Sequence, residues 1–259
     1  MNRIDQTFAR LRAQQRKALV GFLTAGDPDL EQSERDIREA LDAGVDILEL
    51  GIPFSDPTAD GETIQAASQR ALQAGMTLNK ALALVKRIRA DYDCPIVLFG
   101  YVNLFFRYGY AEICADAAAA GVDGMLVVDL PFEESGELRE HLDQYDLHFI
   151  TLAAPTTPLP RLRMILGDAR GFVYYIMVTG VTGTRTSLAA NLEARLTELR
   201  QATALPIAVG FGVSSGSQAA EAAREADAVV VGSALIAAAR AGRLGTLVRE
   251  IRAGLDGTL

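Results

Sequence analysis

Two carboxylates, Glu49 and Asp60, stand in the segment ILELGIPFSDPTADG (47–61). Glu49 interrupts an otherwise apolar run, where exposure to solvent is hard to sustain. A carboxyl group deprived of water has its charged form penalised, so its pKa rises and it becomes suited to donate a proton as a general acid. The competing reading is structural, a buried ion pair with an arginine or a turn cap. Asp60 lies in a loop with Asp56 and Gly61, residue types that turns favour on geometric grounds alone, so a chemical and a turn-forming reading both stand. Histidine supplies a restriction. His141 falls on a predicted surface helix and His148 at the start of an apolar run, and there is no third. That argues against Ser–His or Cys–His nucleophiles and against histidine metal sites, and leaves acid–base work to carboxylates and tyrosines.

A second group of residues is suited to holding an anion. TGVTG (179–183), VGFGVSSG (209–216) and VVGSALI (230–236) each follow an apolar run and precede a helical pattern. Glycines let backbone N–H groups approach an anion closely, and a helix starting at Ser233 would direct the positive end of its dipole at the same ligand. Any one of these turns is explained by the tightness of a strand-to-helix connection. Three in succession along the chain point to a phosphate site.

These side chains need a frame. Eight short apolar runs serve as strands: ALVGFL (18–23), ILELG (47–51), PIVLFG (95–100), GMLVVDL (124–130), HFITLA (148–153), FVYYIMV (172–178), PIAVGFG (206–212) and AVVVGS (228–233). Their near-continuous hydrophobicity is that of parallel strands covered on both faces. Amphipathic stretches alternate with them over 30–44, 62–75, 111–121, 133–145, 159–168, 188–202 and 214–226, with further helices over 5–14, 78–90 and at the C-terminus. Gly44, Gly75, Gly121 and Gly167 stand where left-handed helix ends are expected. Strand–helix alternation of this count predicts an α/β fold, a single (β/α)8 barrel domain over 1–259 with extra helices, one of them N-terminal. A Rossmann-like open sheet is the runner-up, but its first turn, GFLTAGDPD, lacks the GxGxxG of a dinucleotide site. In such a barrel the active site gathers at the C-terminal strand ends, which selects Glu49, Asp60 and the glycine turns and places His148 at the wrong end.

Composition narrows the partners. A formal net charge of -8 argues against nucleic acid, whose binding needs clustered Lys and Arg, while an anionic small molecule can still be held locally. Cys94 and Cys114 form no CxxC and read as reduced packing residues, with no metal expected. The charged first twenty residues leave no signal-peptide core and no apolar run reaches membrane-spanning length, so a cytoplasmic protein is expected.

The segment ELGIPFSDPTADGETIQAASQRAL (49–72) resembles the signature of tryptophan synthase α subunits. The likeness continues in order through FLTAGDP (22–28), GYVNLFFRYG (100–109), GVDGMLVVDLPFEES (121–135), AAPTTP (153–158), YIMVTGVTG (175–183), LPIAVGFGVS (205–214) and VVGSALI (230–236). The resemblance implies retro-aldol cleavage of indole-3-glycerol phosphate to indole and glyceraldehyde 3-phosphate. In that scheme Glu49 protonates the indole ring at C3, and Asp60 binds the indole N–H. Tyr174 matches an active-site tyrosine, Phe22 and Tyr101 match pocket positions, and Thr182 matches a lid residue that orders Asp60. Gly183, Gly212, Gly232 and Ser233 match phosphate contacts.

The same resemblance implies no cofactor or metal in this chain. Its expected partner is a pyridoxal-phosphate β subunit in an α2β2 tetramer, with the Asp56–Pro57 loop and Asn103 near the contact. Departures from the pattern are Gly21 and Glu62, where proline is common, and Met177, Val178 and Thr179 in place of a Ser-Arg version of the lid entrance. A stand-alone lyase and a non-catalytic phosphate-binding subunit are the alternatives, and a phosphoribosyl isomerase or another phosphate-binding barrel would share the glycine turns but not ELGIPFSDPTADG (49–61).

Overall fold

The computed structural model describes residues 1–176, 185–210 and 212–258. The apolar runs form parallel strands β1 (Ala18–Thr24), β2 (Ile47–Gly51), β3 (Ile96–Gly100), β4 (Gly124–Val127), β5 (His148–Phe149), β6 (Thr151–Ala153), β7 (Val173–Ile176), β8 (Ile207–Gly210) and β9 (Ala228–Val231). Their order in the sheet is β5-β4-β3-β2-β1-β9-β8-β7-β6. The two outermost strands are consecutive in sequence, separated only by Ile150, so the sheet closes on itself. The barrel therefore has the eight staves expected, but the fifth, read as one strand over 148–153, is divided. Its lower half pairs with β4 (Met125↔Phe149) and its upper half with β7 (Thr151↔Val173), and the Ile150 N–H still bonds the Met125 carbonyl at 2.8 Å. Gly124 permits this seam, because a Cβ there would lie 2.8 Å from the His148 carbonyl oxygen.

Outside the barrel run α1 (Arg3–Ala13), α2 (Leu30–Ala43), α3 (Glu62–Gln73), α4 (Leu78–Arg89), α5 (Val102–Tyr108), α6 (Tyr110–Ala120), α7 (Gly136–Gln144), α8 (Leu159–Leu166), α9 (Arg185–Arg200), α10 (Gly216–Ala222), α11 (Ser233–Arg240) and α12 (Leu244–Leu255). Helix α5 was not legible in GYVNLFFRYG; it buries Phe105 and stops at Gly109, whose φ of 98° a side-chain-bearing residue rarely adopts. Gly44, Gly75 and Gly121 have positive φ as expected. Gly167 does not: at φ -58° it remains right-handed, so its glycine has no left-handed cap to serve.

Strand side chains alternate between two cores. One set, with Leu19, Leu48, Leu50, Ile96 and Leu98, packs under the helices. The other fills the barrel: Ala18, Val20, Ile47, Val97, Leu126, Ile150, Phe172, Ala208, Ala228 and Val230, with Ile4, Phe8 and Leu11 of α1 in the same cluster. Helix α1 thus plugs the N-terminal end, its Phe8 ring 5.7 Å from Phe172. At this end an aspartate precedes each of β2, β4 and β9. Asp46, Asp123 and Asp227 accept an N–H at the start of the neighbouring strand, from Leu19, Ile96 and Ile207 at 2.9, 2.8 and 2.9 Å, and pair with Arg252, Arg89 and Arg200. His148 lies here too, bonded to Asp5 of α1 at 2.9 Å, at the end remote from the candidate chemistry.

Candidate active site

With Ile47 filling the barrel, period-two alternation carries Glu49 to the same inner face one layer higher, between Phe22 on β1 and Val97 on β3. Glu49 is 0% exposed, and among the described residues neither carboxyl oxygen has a hydrogen-bond partner. Among the described residues Glu49 thus has neither an arginine partner nor a turn to cap. Burial alone pushes its pKa up to about 8, so at neutral pH the group holds its proton.

Asp60 is held differently. The loop after β2 tightens through bonds from Thr58 N–H to Asp56 O (2.9 Å) and from Asp60 N–H to Pro57 O (3.1 Å), and α3 begins beyond Gly61 without a side-chain cap. The Asp60 carboxylate is therefore not spent on capping. It accepts the Tyr101 hydroxyl at 3.1 Å, and that hydroxyl accepts the Ala59 N–H at 2.9 Å. Burial raises the Asp60 pKa to about 6 and the Tyr101 hydrogen bond opposes the rise, so Asp60 is mainly ionised at pH 7. Two carboxyl groups with separated pKa values, one protonated in an apolar recess and one mainly ionised, are suited to different roles in acid–base chemistry.

Tyr174 ties them together. It lies on the inner face of β7, and its hydroxyl is held protonated by burial and then by the nearby Glu49 and Asp60 carboxyls. A Cβ on Gly210 would stand 2.7 Å from the Tyr174 hydroxyl oxygen, so glycine at 210 makes room for the phenol.

A cavity of about 410 Å³ opens at the C-terminal end of the barrel. Phe22, Phe99, Ile64 and Tyr174 give it an apolar wall, and Gly212, Ser214, Gly232 and Ser233 a polar one. Phe22 and Phe99 meet edge to face at 5.0 Å. On the polar side α11 starts at Ser233, and its first helical bonds come from Leu235 and Ile236 to Gly232 O, which leaves the Ser233 and Ala234 N–H groups to a ligand. The cavity thus gathers Phe22, Tyr174, Gly212, Gly232 and Ser233. Glu49 is buried beside Phe22 rather than on the wall, and Tyr101 is buried under the Asp60 loop, stacked on Phe54 at 5.0 Å. Thr182, Gly183 and the departures at Met177, Val178 and Thr179 lie outside the described residues.

Sequence reading missed Phe99 and Phe54. Phe99 was available from parity, two positions above the inward Val97, whereas Phe54 carries no signal beyond its loop. The other departures have local reasons. A Cβ at Gly21 would come within 2.9 Å of Val45, and Glu62 occupies the first turn of α3, where its charge faces the helix dipole. Among the described residues no three His, Cys, Asp or Glu side chains are placed to hold a metal ion.

Fold and site define a (β/α)8 barrel whose mouth combines buried carboxyl groups with a cavity suited to a small molecule that has an apolar body and an anionic end. The sequence pattern of the family described as "Tryptophan synthase alpha chain" matches residues 8–250. The tryptophan synthase alpha chain of Geobacter sulfurreducens is 51% identical over 236 residues, covering 91% of this chain and 89% of that protein. That of Gluconacetobacter diazotrophicus is 51% identical over 257 residues, 99% of this chain and 92% of its own length. The crystal structure of tryptophan synthase subunit alpha from Legionella pneumophila superposes with a TM-score of 0.91 at 36% identity, covering 99% of both chains. The chain belongs to the tryptophan synthase alpha chain family. It is a lyase of the tryptophan synthase class, and cleavage of indole-3-glycerol phosphate to indole and glyceraldehyde 3-phosphate follows from that membership.

Proposed function

We propose that Glu49 is the acid of this cleavage, that Asp60 is its electrostatic partner, and that the substrate phosphate sits against Gly212, Gly232 and Ser233, with Gly183 as a further contact. The observation that supports this reading best is the fully buried Glu49, its carboxyl oxygens without a hydrogen-bond partner among the described residues, in register with Phe22 of a cavity that has an aromatic wall and a helix N-terminus. The Glu49 O–H bond breaks as C3 of the indole gains the proton, and the ring becomes an iminium ion. The Asp60 carboxylate accepts the indole N–H and offsets the positive charge. The glycerol hydroxyl then loses its proton, for which the Glu49 carboxylate is the available base. The C–C bond breaks with its electron pair returning to the ring, and glyceraldehyde 3-phosphate leaves. Tyr174 and Phe22 flank the indole, Tyr101 braces the Asp60 loop, and Thr182 acts in the lid. The chain needs neither metal nor cofactor of its own in this scheme.

The proposed setting is the cytoplasm; no helix among the described residues is long and apolar enough to cross a membrane. The proposed partner is a pyridoxal-phosphate β subunit in an α2β2 assembly, with the Asp56–Pro57 loop and Asn103 near the contact. Phe106, on the same short helix as Asn103, is 66% exposed, which suits a surface that a partner covers. Indole release from indole-3-glycerol phosphate by the purified chain, with and without a tryptophan synthase β subunit, tests the proposal. Slow cleavage accelerated by the β subunit is expected. Fast cleavage unaffected by it favours a stand-alone lyase, and no cleavage in either condition refutes the assignment of these residues.

A further inference from the structure

The Tyr101 hydroxyl has one proton to give, and it is directed at Asp60, 3.1 Å from Oδ2. The same oxygen accepts the backbone N–H of Ala59 at 2.9 Å. One phenol therefore grips two consecutive residues of the loop after β2, and it is itself fixed at the end of β3, 3% exposed, with its ring stacked on Phe54 at 25° between planes. We infer that Tyr101 is a positioning residue, which aims the Asp60 carboxylate by donating to it while holding the Ala59 N–H, rather than a contact for the substrate. The inference rests on the reading of Asp60 as the electrostatic partner of the reaction.

The groups around Asp60 give the hydroxyl this importance. From β7 comes Tyr174, a neutral phenol close enough for the Asp60 charge to act on it, and beyond it the protonated Glu49. From the end of β4, Asp129 adds a negative charge that acts on Tyr101. From α3, the Gln65 amide reaches the Asp60 carbonyl at 2.8 Å, not its carboxylate. Among these, Tyr101 is the group that stabilises the ionised form against burial. Its own proton is held far above neutral pH by burial and by Asp60, so the donor stays in place throughout the useful range.

Tyr101→Phe removes the hydroxyl and keeps the ring on Phe54. A charge-assisted hydrogen bond of ordinary strength corresponds to about one pH unit, so the Asp60 midpoint should climb by that amount. The acid limb of kcat/KM should climb with it, giving about a fivefold loss at pH 6 and little change near pH 8. The two quantities are read separately, the Asp60 carboxyl carbon by 13C NMR titration and kcat/KM by indole release, with Asp60→Asn as reference for the limb. A matched upward shift of both supports the inference. If neither moves while Asp60→Asn abolishes the limb, the positioning role is overturned and the reading of Asp60 survives. A shift in the NMR midpoint with a stationary rate limb overturns the reading of Asp60 and the role of Tyr101 together.

Discussion

Glu49→Gln should slow the enzyme and, over a defined pH range, stabilise it. The side chain keeps its approximate shape and loses its proton, so the rate should fall by about 10²–10⁴-fold. The stability effect comes from proton linkage. An unfolded chain ionises Glu49 near 4.5, whereas the folded site holds it protonated up to about 8. Because the folded value is the higher one, the contribution of Glu49 to stability is intact below pH 4.5 and drains away as pH rises toward 8. At about 1.36 kcal/mol per unit, the loss is roughly 3 kcal/mol at pH 7 and on the order of 5 kcal/mol above pH 8. Glutamine cannot ionise. It places an amide in a recess where no described residue offers a partner, a pH-independent cost of about 1–3 kcal/mol, so the variant should be no more stable than the parent at pH 4. The difference between the two proteins should then turn in favour of Glu49→Gln with rising pH and level off above pH 8. Urea unfolding of both proteins at pH 4, 5, 6, 7 and 8.5, paired with single-turnover indole release, measures it. A difference that is flat across the series refutes the protonated recess, and parental turnover refutes the acid.

The separated carboxyl groups predict a bell-shaped pH profile of kcat/KM with limbs near 6 and 8, because Asp60 must be ionised and Glu49 protonated. Asp60→Asn should erase the lower limb and reduce the rate by about 10²-fold or more, and an unchanged lower limb would return Asp60 to turn formation. Ser233→Asp puts a negative charge at the start of α11, where the dipole favours it, so thermal stability should hold or rise by about 0.3–1 kcal/mol. The same charge opposes a phosphate, and KM should increase at least about tenfold; an unaltered KM would remove the anion from that end of the cavity. Arg252→Ala strips the nearly buried Asp46 of its partner at 2.8 Å, at the end of the barrel remote from the chemistry. Denaturant unfolding should show a loss of about 3 kcal/mol with kcat preserved, whereas a matching fall in kcat at full folding would show that the two ends are coupled.

The contrast between Glu49 and Tyr101 shows what the sequence made legible. The strands could be read because a buried parallel strand is apolar along its whole length, and a lone carboxyl in such a run is conspicuous wherever it points. Its inward direction then follows from parity with Ile47, and the same count would have delivered Phe99. The staves were legible as runs, but the seam at Ile150 was not, since it depends on the fit between β4 and β7 across the closing barrel rather than on any property of HFITLA. Loop residues obey no period. Asp60 has a turn-former's composition, and its freedom from capping emerges only because α3 starts after Gly61 and Tyr101, more than forty positions away, supplies a hydroxyl. Local periodicity therefore locates the buried carboxyl of Glu49, while the hydroxyl that holds Asp60 is placed by a contact between the end of one strand and the loop of another. For that reason a substitution at Tyr101, which looks like a pocket wall in the sequence, should be read out in the titration of Asp60 and not in substrate affinity.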